Sequence, residues 1–429
     1  MADFETLIDK VGFQGDGITA GGLIAPLTLP GERVRLRESR GAGQTQGRGR
    51  DKTPPVDNRL ELVEIIAASP NRVTPPCIHF SACGGCSLQH WDLAAYGAWK
   101  RDMVQVLLSR GGLDVEVAPI LTTPPHSRRR VGLHARKVGK SVELGFKARK
   151  SWQMVPITMC PVSDPAIVKA LPNLKALAGY LFENAKSAPI LHVTVSLTGL
   201  DIDVSGVEAR KSGGLSADAR MNIAMTAAEA DFARVTMGED ILYMSRTPTV
   251  RFGKAMVGLP IAPFLQASAA SEADMVRLVT AGIAGAKKVA DLFCGAGTFT
   301  FPLAETAVVY AVDGSAPAIA SLKTALASAP GLKTITPEAR DLFRRPMLAE
   351  DMKGFDAIVF DPPRAGAEAQ AAEIARSGMG RAVAVSCNPT TFIRDAKILV
   401  NAGFSLDRVT PIDQFLWSSH VELVAVFSR

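Results

Sequence analysis

A chain of 429 residues is too long for one compact core and, at roughly 100–200 residues per domain, divides into two to four units. Hydrophobic residues make up 47% and charged residues 21%, which excludes a globally disordered chain, and no run approaches the ~18 consecutive apolar residues of a membrane span. Lys plus Arg exceed Asp plus Glu by 48 to 42, so the net charge of +6 argues for a nucleic-acid partner only where it is clustered.

The start, M-A-D-F-E-T-L-I-D-K, lacks a basic-then-apolar signal region, and a cytoplasmic protein without a membrane anchor is expected. Residues 1–66 read as short strands broken by glycine turns, the pattern of a small barrel. Within them, Ser39 to Pro55 is glycine-rich, basic and nonperiodic, and reads as a loop that is either a solvated linker or an RNA contact.

Six cysteines follow along the chain: Cys77, Cys83, Cys86, Cys160, Cys294 and Cys387. In a reducing compartment a chain of this size does not build a disulfide framework. The first three form C-x5-C-x2-C within S-A-C-G-G-C, whose glycines let backbone wrap a ligand, and Cys160 follows in M-C-P-V. Buried packing is one reading. Four thiolates holding zinc or an iron–sulfur cluster is the other, and the uneven spacing favours iron–sulfur over the paired knuckles of structural zinc.

Tyr96, Trp99, Met103 and Leu107 recur at three- and four-residue steps and predict a helix over 91–110 that Gly111-Gly112 stops. From Arg128 to Lys150 the chain carries a dense basic run against one acid, Glu143, with strand alternation in V-E-L-G-F. A sheet face of one sign repels itself, which makes it a phosphate-binding surface unless it is simply solvated. Residues 161–250 mix helix and strand without a motif.

From about Gln266 apolar strands alternate with helical stretches: 289–293, 308–313, 333–336, 355–361 and 381–386, then two more near 404–410 and 420–427. That is a parallel α/β sheet with helices on both faces. The connection Pro411 to Ser419 is too short for a helical crossover, so the last strand pairs antiparallel. Five parallel strands, a sixth and an inverted seventh describe a class I methyltransferase sheet.

Strand one runs into D-L-F-C-G-A-G-T-F, where Gly295 and Gly297 let backbone approach a ligand. Asp291 precedes them and Asp313 ends strand two, where a carboxylate reaches ribose hydroxyls. With the strand pattern, this points to S-adenosylmethionine. Asp341 either meets the adenine edge or caps a helix. Strand four ends in F-D-P-P-R, whose prolines aim Asp361 at the sheet edge; Arg364 stands where enzymes that methylate amino groups carry an aromatic, which argues against attack by an exocyclic nitrogen. Strand five ends at Cys387, just before a helix whose dipole would stabilise a thiolate. A packed structural Cys competes with that reading, but the cofactor turn and Asp361 favour a nucleophile. Glu422 begins strand seven among apolar neighbours that would raise its pKa, as suits a proton acceptor; an exposed strand carboxylate is the alternative.

Taken together these pieces resemble the RNA 5-methyluridine methyltransferases, and more closely their iron–sulfur 23S rRNA branch, over nearly the whole chain. Q-G-D-G-I and L-P-G-E resemble the N-terminal TRAM domain, an OB-type RNA-binding barrel. The segment from Ser69 to His90 matches the cluster-bearing region; P-F-L-Q, D-L-F-C-G-A-G-T-F, D-P-P-R, S-C-N-P and D-Q-F-x-x-x-x-H-V-E match the catalytic domain in order. The resemblance implies that Cys77, Cys83, Cys86 and Cys160 bind a 4Fe–4S cluster. It implies that Gln266, Phe293, Asp313 and Asp361 contact S-adenosylmethionine and substrate, that Cys387 is the nucleophile, and that Glu422 is the proton acceptor. The expected architecture is a TRAM-like barrel at 1–66, an α+β central RNA-binding and iron–sulfur domain at 67–265, and a seven-stranded Rossmann-like methyltransferase domain at 266–429, with the helix from residue 91 packing on the last. A monomer acting on uracil carbon 5 of 23S rRNA is the expected protein; the same reaction on tRNA, or a non-catalytic iron–sulfur RNA-binding protein, are the alternatives. Three positions depart from the family. Asp313 replaces the usual Glu, the stretch S-A-P-A-I-A-S-L-K-T-A-L lacks the family's asparagines, and Ser127 stands where a Tyr is usual.

Overall fold

The computed structural model describes residues 3–38, 60–208 and 214–429; the expected loop from Ser39 to Pro55 lies outside the described residues. The chain forms two compact units, Met1–Trp99 with Trp417–Ser419, and Lys100–Leu416 with His420–Arg429. Among the described residues no helix is long and apolar enough to cross a membrane.

In the first unit β1 (Phe4–Val11), β2 (Gly17–Thr19), β3 (Ile24–Ala25), β4 (Arg33–Glu38) and β5 (Leu60–Ala67) pair antiparallel in the order β3-β2-β1-β4-β5. Period-two alternation buries Val34 and Leu36 of β4 against Ile8 and Ala25. The closed barrel expected from the sequence is instead an open sheet among the described residues: β3, only two residues long, and β5 stand at its two ends and lie near each other without pairing as strands. The L-P-G-E turn is explained by its acid. Glu32 is fully buried and accepts hydrogen bonds from Arg72, Leu29 N and Ser69 N. Burial works against its charge, but these donors win and hold its pKa below the ordinary value.

The second unit carries β6 (Leu121–Thr122) and a seven-stranded sheet of β7 (Arg130–Val138), β8 (Ser141–Lys147), β9 (Met154–Pro156), β10 (Ile190–Ser196), β11 (Gly199–Ser205), β12 (Arg234–Met237) and β13 (Asp240–Met244), in the order β13-β12-β11-β10-β7-β8-β9. Helices Pro165–Lys169, Leu171–Gly179 and Ala217–Glu229 bury Ile167, Leu174, Leu177 and Ile223 against it. The helical stretch after residue 165 is two helices rather than one because Pro172 can only begin a helix. A hairpin of β14 (Thr249–Phe252) and β15 (Ala255–Gly258) follows.

The remaining strands are β16 (Lys288–Leu292), β17 (Val308–Asp313), β18 (Ile335–Ala339), β19 (Ala357–Phe360), β20 (Arg381–Ser386), β21 (Ser405–Asp413) and β22 (Glu422–Ser428). Their order is β18-β17-β16-β19-β20-β22-β21, parallel from β18 to β20, with β22 antiparallel to both β20 and β21. This is the class I methyltransferase order. Successive residues of β16, β19 and β20 are buried on both faces, as a parallel sheet covered on both sides requires. Two details differ from the sequence reading. β18 lies two to three residues later than 333–336 and contains Pro337, tolerated because β18 is an edge strand paired only with β17. An eighth strand, β6, adds to the far edge beside β21, through Leu121–Ile412 and Thr122–Asp413.

The predicted helix is Leu93–Arg110, and the division between the units falls within it. Its buried stripe takes in Lys100, whose ammonium pairs with the equally buried Asp413 at the end of β21.

Candidate active site

The turn after β16 places three residues in left-handed backbone: Phe293 at φ 62°, Gly295 at 55° and Gly297 at 105°. A side chain at Gly297 would also strike the Phe301 ring, at 2.7 Å from its nearest carbon, whereas one at Gly295 would point into open space. Phe293 has no such excuse for its backbone; a non-glycine in this region is strained, and strain of this kind collects at ligand sites.

Around this turn stand three aspartates. Asp313 accepts from Gly295 N at 2.8 Å and Ser315 N at 2.7 Å, which ties the glycine turn to the end of β17. Asp291 is fully buried; one carboxylate oxygen accepts from Thr300 Oγ1 at 2.6 Å, and the other has no hydrogen-bond partner. Its pKa is pushed up to about 7 by burial, then by the charges of Asp361 and Asp313. Asp361, just past β19, is likewise pushed up to about 7 by burial and by Asp313. Acids that repel one another in a buried turn, with an oxygen left over and an open glycine face, fit a cationic ligand carrying hydroxyls. The residues present therefore fit S-adenosylmethionine.

Asp341 heads a turn rather than a helix: its Oδ1 accepts from Phe343 N at 2.9 Å. The turn it closes presents Phe343, whose ring centroid lies 5.6 Å from that of Phe293 while half its surface stays exposed. Phe343 was not singled out from the sequence; its position two residues after an expected pocket acid is the signal that could have found it.

Register brings the chemistry together. β20 pairs with β22 up to Ser386–Leu423, so Cys387, in the bend just past β20, follows the end of that ladder where β22 begins at Glu422; Glu422 pairs with Ile412 on its other side, and its charge acts on Cys387. Cys387 is partly exposed and Glu422 is buried. The pKa of Glu422 is pushed up to about 8 by burial and by the charge of Asp361, against a hydrogen bond from Gln414 and the charge of Arg364. The helix Pro389–Asn401 does begin beside Cys387, but the thiolate stabilisation expected from its dipole is outweighed: burial, then the charges of Glu422 and Asp361, push the thiol up to about 11, with Arg364 pulling the other way.

Behind these groups runs a chain of buried amides. Gln266 donates to Asp361 Oδ2 at 3.1 Å. Gln414 donates to Gln266 Oε1 at 2.9 Å and to Glu422 Oε2 at 3.0 Å, and its own Oε1 accepts from Ala267 N at 2.5 Å. Arg129 and Arg130, expected on the basic face, serve here instead. Arg129 Nε binds Gln266 O at 3.0 Å, its guanidinium pairs with Glu272, and Arg130 binds Leu265 O at 2.7 Å. A buried charge finds partners inside, and these carbonyls hold the loop that carries Gln266. Arg128 is half-buried, with its Nε on Arg130 O at 3.0 Å, whereas Arg136, Lys137, Lys140 and Lys150 are exposed. Lys147 lies 3.9 Å over the ring of Trp152, which is 84% exposed.

Of the expected metal ligands, Cys77, Cys83 and Cys86 lie outside the helices and strands of the first unit and Cys160 in the second unit. All four are partly buried, and Cys83 Sγ accepts from Gly85 N at 3.4 Å. Among the described residues no set of three or more His, Cys, Asp or Glu side chains converges to hold a metal ion, so the structure does not carry the 4Fe–4S assignment.

Comparison with known proteins agrees with this geometry. The family model described as tRNA (Uracil-5-)-methyltransferase matches residues 261–429. An uncharacterized RNA methyltransferase of Caulobacter vibrioides is 55% identical, over 98% of this chain and 99% of its own. The 23S rRNA (uracil(1939)-C(5))-methyltransferase RlmD of Erwinia tasmaniensis is 31% identical, over 87% of this chain and 86% of its own. Among solved structures, Pyrococcus abyssi tRNA (uracil-54, C5)-methyltransferase in complex with S-adenosyl-L-homocysteine shares the fold, with a TM-score of 0.71 over 99% of this chain and 100% of that one, at 22% identity. Relatives this similar across most of their length leave one conclusion, that the chain belongs to the family of S-adenosylmethionine-dependent RNA uracil-5-methyltransferases.

Proposed function

We propose that this enzyme methylates carbon 5 of a uridine in 23S rRNA through a covalent bond between Cys387 and the base. The observation that carries the reading is that Cys387, just past β20, and Glu422, at the start of β22, sit at the same end of the β20–β22 ladder, near enough for the charges of Glu422 and Asp361 to act on the thiol. Uracil carbon 5 is a weak nucleophile. The Cys387 thiol gives its proton to solvent and its sulfur bonds to carbon 6, sending the carbon 5–carbon 6 π electrons onto the carbonyl as an enolate. S-adenosylmethionine supplies an electrophilic methyl on a positive sulfonium, whose carbon–sulfur electrons stay on the departing sulfur. The enolate electrons would form the bond from carbon 5 to that methyl, and Asp291, Asp313 and Asp361 would attract the positive charge of the bound cofactor. Glu422 then takes the carbon 5 proton; the electrons of that bond restore the ring double bond and expel Cys387 as thiolate. A flipped uridine fits this sequence, since both faces of the base are engaged. Cys387 opens the reaction only when it ionises, and Arg364 is the residue that favours it.

The Erwinia relative supports 23S rRNA as the substrate, because the likeness to the archaeal tRNA enzyme is one of fold. Purified protein, labelled cofactor and separate 23S rRNA and tRNA substrates test this. Label in 5-methyluridine of 23S rRNA is the expected result; label confined to tRNA moves the substrate, and no label on either leaves only an RNA-binding role. The four-cysteine cluster stands on sequence spacing and the family resemblance, and no step is assigned to it; iron and sulfide content after anaerobic purification is its test, with zinc alone rejecting it.

A further inference from the structure

We propose that Gln414 is a positioning residue that sets the direction of a hydrogen-bond chain ending on Asp361 and Glu422, and that it favours the carboxylate form of Glu422 and leaves Oε1 as the atom that receives the carbon 5 proton. The inference rests on the reading of Glu422 as proton acceptor.

A side-chain amide can be turned end for end, and one unambiguous neighbour is needed to decide its orientation. Here that neighbour is the backbone N–H of Ala267, which can only donate and lies 2.5 Å from Gln414 Oε1. Gln414 Nε2 therefore faces Gln266 Oε1 and Glu422 Oε2, and gives one hydrogen to each. Gln266, having accepted, turns its own Nε2 to Asp361 Oδ2. Every hydrogen runs outward from one backbone amide to two carboxylates. Gln266 and Gln414 are 3% and 4% exposed, so water does not offer an alternative partner. A proton on Glu422 Oε2 would meet the Gln414 donor head-on, which leaves Oε1 for the proton taken from the base.

The groups that act on Glu422 are Asp361, whose charge opposes ionisation, and Arg364 and the Gln414 amide, which favour it. Cys387 lies at the same end of the ladder, and the Lys100–Asp413 pair adjoins Gln414 in the chain. The three polar side chains of the relay come from separate places: Gln266 from the loop before helix Ala269–Gly282, Gln414 from just past β21, and Glu422 from the start of β22.

The test is the rate of release of the covalent protein–RNA adduct between pH 6 and 10, measured with the RNA that accepts label in the transfer assay. Gln414→Leu is expected to form the adduct normally and to release it with a midpoint raised by about one pH unit, hence roughly tenfold slower on the acid limb and converging with wild type at high pH. Gln414→Glu keeps the shape and the acceptor for Ala267 but sets a second carboxylate beside Glu422; its midpoint is expected to rise at least as far, and it carries the test if the leucine variant does not fold. Release slowed equally at every pH in both variants reduces Gln414 to packing and overturns the proposal. Glu422→Gln, run in parallel, separates the two readings: an adduct that it releases at the wild-type rate removes Glu422 as base, whereas a trapped adduct with unshifted Gln414 variants removes only the relay.

Discussion

Cys387→Ala is expected to abolish methyl transfer, by at least about 10³-fold, and to leave no covalent complex with RNA carrying 5-fluorouridine at the target. The fluorinated base isolates the step. Its carbon 5 carries no proton to remove, so once methylated the ring stays bonded to the enzyme and is seen as a shifted band on a denaturing gel. The structure leaves few substitutes for the thiol. Cys294, the other sulfur near the glycine turn, is buried, with its pKa well above the ordinary thiol value because of that burial and the charges of Asp291 and Asp313. An adduct that survives in Cys387→Ala would assign the nucleophile to another residue.

Glu422→Gln is expected to form the adduct on unmodified uridine and then fail to release it, with turnover lowered by roughly 10²–10⁴-fold. Gln keeps the shape of the side chain but cannot take a proton. The sign of the pH dependence follows from the carboxyl itself. Its pKa is pushed up to about 8, so it is mostly the neutral acid at neutral pH and the charged base above about 8. Release in the wild type should climb with pH through that value, and in Glu422→Gln that rise should vanish. Normal turnover by the glutamine variant would place the base elsewhere, and a lack of adduct would mean that the substitution disturbed Cys387 instead.

The catalytic sheet was legible because buried parallel strands advertise themselves as unbroken apolar runs, as in V-V-Y-A-V-D, and because the short Pro411 to Ser419 connection permits only an antiparallel return. Cys387 and Glu422 could be placed at one edge from the same reasoning. What escaped was whatever depends on partners distant in the chain. Gln414 takes its orientation from an amide 147 residues away. Arg129 and Arg130 look like surface charge in a basic run, and only the folded loop shows carbonyls waiting for them. β6 has two residues and no periodicity to detect. The helix dipole at Cys387 is visible in sequence, but what outweighs it, burial first and then the charges of Glu422 and Asp361, comes from residues distant in the chain.

The reversed direction of β22 has a consequence for how such an enzyme diversifies. Neighbouring strands in a ladder stand about 4.8 Å apart whatever joins them. With one reactive group just past the outgoing strand and the other opening the returning one, their spacing is a property of the sheet's own pitch rather than of any loop. Insertions in turns away from the cofactor turn and from this ladder leave that spacing untouched. The backbones that carry sulfur and carboxylate are thus spaced by the sheet and not by the loop that joins β21 to β22.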